Sequence, residues 1–327
     1  MRDRPKVLVT RPIKEAPTAR LRERTDVTID ENDFGIPRDE LLRKVAGYDA
    51  LVTMLTERVD AELLAAAGPQ LKIVANHAVG FDNVNLEDCT AAGVMASNTP
   101  DVLTETTADT AFALLMAAAR RVGEGDRFLR GRTPWIWGPL MMLGQDVHHK
   151  TIGIVGFGRI GQAVARRAKG FGMDIIYSDA FQLPAEVEAE TSARRVELDD
   201  LLEQADFVSI HTNLTPETRH LFGAQQFKRM KDTAVLVNTS RGPVVDESAL
   251  AGALESGEIF AAGLDVFERE PEVSEQLLGL ENAVVIPHLG SATVDTRDAM
   301  GHLAVDNVFA ALDGDRPPTL LNPDVLG

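Results

Sequence analysis

The sequence predicts an α/β protein of two doubly wound parallel-sheet domains, one inserted into the other, and three observations carry that expectation. Short apolar runs alternate with helix-like stretches along most of the 327 residues, the pattern of buried parallel strands joined by crossover helices. That length is ample for two cores, and the hydrophobic content of 44% is that of a globular protein. Residues 151–179 read as one complete βαβ unit: an apolar run, then Gly156-Phe-Gly158-Arg159-Ile160-Gly161, a helical stretch to Phe171, and a second apolar run ending on Asp179.

In that unit Gly156 permits a tight turn, Gly158 lets the backbone approach a pyrophosphate, and Gly161 lets helix and strand pack closely. The N–H groups at the helix start then face the anion. Asp179 stands 18 residues after Gly161, where a carboxylate accepts from an adenosine ribose and repels a 2′-phosphate. NAD(H) is therefore the expected cofactor, with NADP(H) left open.

Taken in order, Lys6–Thr10, Ala50–Met54, Lys72–His77 and Val94–Asn98 read as buried strands, and Arg38–Ala46, Ala61–Ala67 and Leu86–Ala92 as helices. Leu103–Arg121 follows as a long helix, with apolar residues near the 3.6 period, Glu105 in its first turn and Arg120 and Arg121 in its last. Residues 122–150 read as an irregular connection holding both tryptophans, Trp135 and Trp137; apolar aromatics concentrated in one such segment suit an arm that packs on a second subunit, the plainer reading being a loop folded over its own chain. Further strands are expected at Asp206–His211, Ala234–Thr239, Phe260–Phe267 and Asn282–Pro287, and helices at Asp246–Ser256 and Val294–Leu312. The tail should return to the first domain. The expected division is 1–99 with 288–327 as a substrate-binding domain, and 100–287 as a dinucleotide-binding domain that includes the helix and loop of 101–150.

Composition excludes several functions. Fifty acidic residues against 33 basic ones give a net charge of −17, which disfavours nucleic acid and anionic membranes as partners. The basic residues are 25 Arg and 8 Lys, a skew that fits GC-rich codon usage or a salt-adapted surface. The single cysteine, Cys89, allows no intrachain disulfide and no cysteine metal cluster. With no apolar leader, a cytoplasmic location is expected. No third ligand stands at metal spacing from His148-His149, and no metal is expected.

Ligands of open parallel sheets bind at the carboxyl ends of the strands. In the second domain those ends carry Arg241, Glu270 and His288. The set suits hydride transfer to a 2-oxo acid. A guanidinium fork holds the substrate carboxylate and polarises the carbonyl, the imidazole supplies a proton, and the carboxylate orients the imidazole. Each has a plainer reading: a structural ion pair for Arg241, a solvated loop charge for Glu270, a core histidine for His288. Asp265 needs a partner if buried, and His211 could line the cofactor groove. In the first domain the run Asn76-His77-Ala78-Val79-Gly80 ends a strand, and its glycine either leaves backbone N–H groups for a carboxylate or makes an ordinary turn, with His77 a packed side chain in the plainer reading.

These residues resemble the D-isomer-specific 2-hydroxyacid dehydrogenases in the stretches VGFDN (79–83), GFGRIG (156–161), NTSRGPVVDE (238–247), GLDVFEREP (263–271) and PHLGSAT (287–293). Within that family the chain is most similar to the glyoxylate and hydroxypyruvate reductases, notably over residues 98–120 and the tryptophan loop. The resemblance implies two Rossmann-like domains, the discontinuous one flavodoxin-like, and a homodimer built through the inserted helix and loop. It implies Arg241, Glu270 and His288 as the catalytic set, Val79 and Gly80 as carboxylate binders, and Trp135 and Trp137 as neighbours of a small 2-oxo acid. It also implies Arg159 and Ile160 at the pyrophosphate, and Thr239, Ser240, Asp265 and Gly290 with His288 near the nicotinamide. Several such relatives carry an arginine near the ribose and use NADP, whereas this chain has Asp179. A dehydrogenase of D-3-phosphoglycerate or another bulkier acid, and a non-catalytic NAD-sensing protein like the C-terminal-binding co-repressors, are the alternatives.

Overall fold

The computed structural model describes residues 4–32 and 34–327, and the chain forms two compact units, Met1–Leu103 with Ser291–Gly327, and Thr104–Gly290. In the first unit the apolar runs become β1 (Lys6–Val9), β3 (Ala50–Thr53), β4 (Ile73–Asn76) and β5 (Met95–Ser97), with β2 (Asp26–Ile29) beside β1. Helices α1 (Glu15–Arg24), α2 (Arg38–Lys44), α3 (Ala61–Ala67) and α4 (Leu86–Ala91) connect them. All five strands are parallel in the order β2-β1-β3-β4-β5. Every residue of β3 and β4 is buried, as strands covered on both faces require. One further strand, β2, was not anticipated. It is an edge strand whose residues alternate between exposed and half-buried, so it lacks the apolar run that marks its neighbours.

The second unit begins with α5 (Thr104–Ala119) and α6 (Val122–Arg130). Residues 122–130 are thus helical and not part of an irregular connection. Gly123 and Gly125 weaken the helical signal, no residue of α6 is buried, and ion pairs Arg121–Glu124, Arg127–Glu281 and Arg130–Asp126 hold it. Then follow β6 (Thr151–Val155), α7 (Arg159–Gly170), β7 (Asp174–Ser178), α8 (Ala185–Thr191), β8 (Ala193–Arg195), α9 (Leu198–Gln204) and β9 (Phe207–Ile210). The unit closes with α10 (Ala224–Arg229), β10 (Val235–Asn238), α11 (Glu247–Ser256), β11 (Ala261–Leu264), α12 (Glu275–Gly279) and β12 (Ala283–Val285). Its sheet is also wholly parallel, in the order β12-β11-β10-β9-β6-β7-β8. The order reverses between β6 and β9, and doubly wound sheets open a ligand crevice at that point. Apolar clusters cover both faces: Leu236, Leu250 and Phe227 on one, Phe112, Leu115 and Val164 on the other.

The last helix, α13 (Val294–Asp313), belongs to the first unit, where Ala304, Val305 and Val308 pack with Val7, Val9 and Val52. The division therefore falls a few residues later than the expected 287/288, and His288 and Gly290 lie in the second unit. The reason is local: the His288 N–H donates to the Asp265 carbonyl at 2.9 Å, and the Gly290 N–H to the Asp265 carboxylate at 2.8 Å. Among the described residues no helix is long and apolar enough to cross a membrane.

Candidate active site

Between β6 and α7 the three glycines have different neighbours. Gly156 has φ +87°, and a Cβ there would stand 2.7 Å from the His211 carbonyl carbon, so the turn admits no side chain. A Cβ on Gly161 would stand 2.3 Å from the Gly156 carbonyl oxygen, the mark of close helix–strand packing. Around Gly158 a Cβ would meet no protein atom within 4 Å, and no side chain caps α7, which begins at exposed Arg159 and half-buried Ile160. An open cradle above an uncapped helix start fits a pyrophosphate.

Asp179, just after β7, accepts from the Phe157 N–H at 2.7 Å with one carboxylate oxygen and from the Phe181 N–H at 3.0 Å with the other. A carboxylate has about four acceptor sites, so each oxygen keeps capacity for a ribose hydroxyl. His211 contributes backbone to the same turn, its N–H donating to the Val155 carbonyl at 2.7 Å. Its Nε2 lies 2.8 Å from Ser209 Oγ, and burial pushes its pKa down to about 3, so the ring is neutral and held internally.

The second cluster stands at the ends of β10, β11 and β12. After β10, Asn238 Oδ1 accepts from the Ser240 N–H and hydroxyl, while its Nδ2 donates to the Arg241 carbonyl at 2.9 Å. This fixes the loop that carries Arg241, whose Nη1 donates to the Ser240 carbonyl at 2.8 Å. Thr239 Oγ1 is buried and has no hydrogen-bond partner among the described residues; such an orphaned hydroxyl fits a polar ligand.

Beyond β11, Asp265 is buried and accepts from the N–H groups of Leu289 and Gly290. Burial pushes its carboxyl above the ordinary range, and those two donors and the nearby His288 do not fully offset it. Five residues on, Glu270 Oε2 lies 2.8 Å from His288 Nδ1, and Oε1 accepts from the Phe267 N–H at 3.0 Å. Burial alone would raise the Glu270 pKa. The bond and charge of His288, the Phe267 N–H and the Arg241 charge outweigh it and hold the carboxyl below its usual value. With Nδ1 on the carboxylate, Nε2 is the imidazole nitrogen left to face a substrate.

Two positions passed over in the sequence prove structural to this cluster. Asn238 is legible only as the first residue of an Asn-Thr-Ser turn. Gly242 approaches the Phe267 backbone so closely that a Cβ would overlap it, and the only signal is a glycine directly after Arg241.

In the first unit the loop after β4 is pinned by its carbonyls: Val79 O accepts from Asn98 Nδ2 at 2.7 Å, and Gly80 O from Asn76 Nδ2 at 3.0 Å. Among the described residues neither the Val79 nor the Gly80 N–H donates a hydrogen bond, and both residues are half-buried. Two adjacent free donors of this kind suit a carboxylate. Trp135 and Trp137 are 57% and 76% exposed, on the chain between α6 and β6, and lie in neither site cluster. Among the described residues no group of acidic, His or Cys side chains is arranged to hold a metal.

A dinucleotide cradle at the switch point, with a carboxylate-supported histidine on the same strand-end edge, defines a nicotinamide-dependent oxidoreductase. The comparisons narrow the class: residues 112–290 match the family model described as D-isomer specific 2-hydroxyacid dehydrogenase, NAD binding domain, and the chain belongs to that family. It is 53% identical over 327 residues to a glyoxylate reductase of Thermococcus onnurineus, covering 99% of this chain and 97% of that one. Among solved structures, a protein of Thermus thermophilus matches with TM-score 0.91 and 43% identity, over 97% of this chain and 99% of the other. An NADPH-dependent glyoxylate/hydroxypyruvate reductase of Sinorhizobium meliloti, in complex with NADP and malonate, matches with TM-score 0.83 and 33% identity, over 99% and 98%.

Proposed function

We propose that the protein reduces a small 2-oxo acid, glyoxylate or hydroxypyruvate, to the D-2-hydroxy acid with NADH. The observation that carries this reading is the 2.8 Å pair of Glu270 and His288 on the strand-end edge that also bears Arg241. When bound, the nicotinamide supplies the hydride. The cradle of Gly156, Gly158 and Gly161 holds its pyrophosphate with Arg159 and Ile160, Asp179 takes the adenosine ribose, and Thr239, Ser240, Asp265 and Gly290 lie toward the nicotinamide. His211 lines the groove with its backbone.

Arg241 grips the substrate carboxylate with its planar fork and polarises the neighbouring carbonyl. In the first unit the free N–H groups of Val79 and Gly80 are the donors that suit a substrate carboxylate. His288 gives the proton from Nε2 to the carbonyl oxygen as C2 becomes tetrahedral, and Glu270 stabilises the imidazolium and fixes its orientation. The exposed apolar arm, Trp135, Ile136, Trp137 and Leu140, forms the contact of a homodimer, in which a tryptophan of one subunit borders the other's substrate.

The test follows NADH absorbance with purified protein and glyoxylate, hydroxypyruvate, pyruvate or 3-phosphohydroxypyruvate, against NADPH and an Arg241→Ala control. Turnover of the small acids with NADH, collapsing in the control, supports the reading. Turnover of the phosphorylated acid alone moves the substrate to the bulkier class, and no turnover in protein that binds NADH moves the function to nucleotide sensing.

A further inference from the structure

The cofactor-selecting end of the second unit contains a cation that Asp179 does not explain. Arg195 ends β8, in register beside Tyr177 and two residues short of Asp179 on the neighbouring strand. Its Nη2 donates to the Asp179 main-chain carbonyl at 3.0 Å. Its Nε is buried and has no hydrogen-bond partner, and the half-buried guanidinium makes no ion pair among the described residues. Buried charge is ordinarily paired. A guanidinium held half out of water without an anion suits an anionic ligand at its terminal nitrogens; the buried Nε is closed to solvent and is not itself a ligand donor. Tyr177 is no such partner: its hydroxyl already donates to Glu188 at 2.6 Å.

The anion that approaches this point is set by the cradle. The Asp179 carboxylate, fixed by the Phe157 and Phe181 N–H groups, marks where the 2′ and 3′ positions of an adenosine ribose fall. A phosphate on the 2′ position would meet the carboxylate and the guanidinium together. We propose that Arg195 is the cationic half of the cofactor-selecting site, set to pair with a 2′-phosphate that Asp179 alone keeps out. The inference rests on the dinucleotide reading of this cradle and adds a residue to it. It makes selectivity for NADH a balance of two opposed charges, removable by one substitution without introducing a new arginine.

The experiment titrates the full-length protein calorimetrically with ADP-ribose and with 2′-phospho-ADP-ribose and reads the ratio of the two affinities. Wild type favours ADP-ribose. In Asp179→Ser the ratio shifts toward the phosphorylated ligand by about tenfold or more, the scale of one charge-assisted contact. Adding Arg195→Gln, which keeps a donor for the Asp179 carbonyl, removes most of that shift; Arg195→Met in the same background removes it likewise, so one misfolded variant does not decide the matter. A shift of equal size with and without Arg195, or no shift in Asp179→Ser, overturns the proposal. Wild type that binds ADP-ribose but reduces no 2-oxo acid overturns the proposed reaction and not this inference. Protein that binds neither ligand overturns both.

Discussion

Gly242 and Phe267 meet through backbone alone: a Cβ on Gly242 would stand 1.9 Å from the Phe267 carbonyl carbon and 2.4 Å from the Glu268 nitrogen. The loops after β10 and β11 are thus interlocked, and this fixes Arg241, one residue before the contact, relative to Glu270, whose carboxylate takes the Phe267 N–H. Backbone cannot rotate aside as a side chain can. Gly242→Ala must push the two loops apart, and a displacement near 1 Å at a reacting group costs about 100-fold in rate. Steady-state kinetics with the 2-oxo acid should show a loss of about that size in kcat/KM, with a lower melting temperature. Kinetics within a few-fold of wild type would show that the interlock does not position Arg241.

Glu270 is ionised to lower pH than an ordinary glutamate, because its partners outweigh burial. A depressed carboxyl contributes above its unfolded value of about 4.3 and loses that contribution as pH falls through the lower folded value. Over the working range its negative charge therefore stands beside the His288 imidazole. Glu270→Gln keeps the shape and deletes the charge. The expected outcome is a kcat for reduction lower by about 100-fold or more, with KM for the 2-oxo acid little changed, since the carboxylate orients the proton donor and does not touch the substrate. A kcat within a few-fold of wild type would assign Glu270 a packing role only.

At Asp265 both carboxylate oxygens are used, by the N–H groups of Leu289 and Gly290. Asp265→Asn turns one acceptor into a donor facing a donor. An unsatisfied buried donor costs about 1–3 kcal/mol, and the segment released is the one next to His288. Urea unfolding should show that loss, together with a lower kcat. An unchanged unfolding midpoint would mean that the segment relaxes without the carboxylate.

Much of this arrangement was legible in the residues because its parts are local. The cradle lies within the 18 residues from Gly161 to Asp179 and their flanks, and the buried runs of β3, β4, β9 and β10 carry their own signal. The strand ends then put Arg241, Glu270 and His288 on one edge, since a wholly parallel sheet has all its carboxyl ends together. What was not legible depends on register between distant segments. Gly242 matters only because β10 and β11 are neighbours, and Arg195 only because β8, unanticipated, lies beside β7. Both β2 and β8 are short edge strands, half-exposed and polar, and α6 carries two glycines and buries nothing; tertiary pairing, not propensity, makes them.

His77 predicts how the first unit responds to acid. The side chain follows β4, is buried, and neither ring nitrogen has a hydrogen-bond partner among the described residues. Burial first, and the Arg297 charge second, push its pKa down to about 4. The unfolded chain, with a value of about 6.5, takes up a proton that the folded chain refuses. Stability is therefore undiminished above the unfolded value and falls as pH drops below it, until the folded histidine itself protonates. From about pH 7 to about pH 5 this one group should remove about 2 kcal/mol from the unfolding free energy. His77→Phe has nothing to protonate, so its urea midpoint should fall less than that of wild type over the same interval. Parallel decline of the two proteins would show that acid enters through another group.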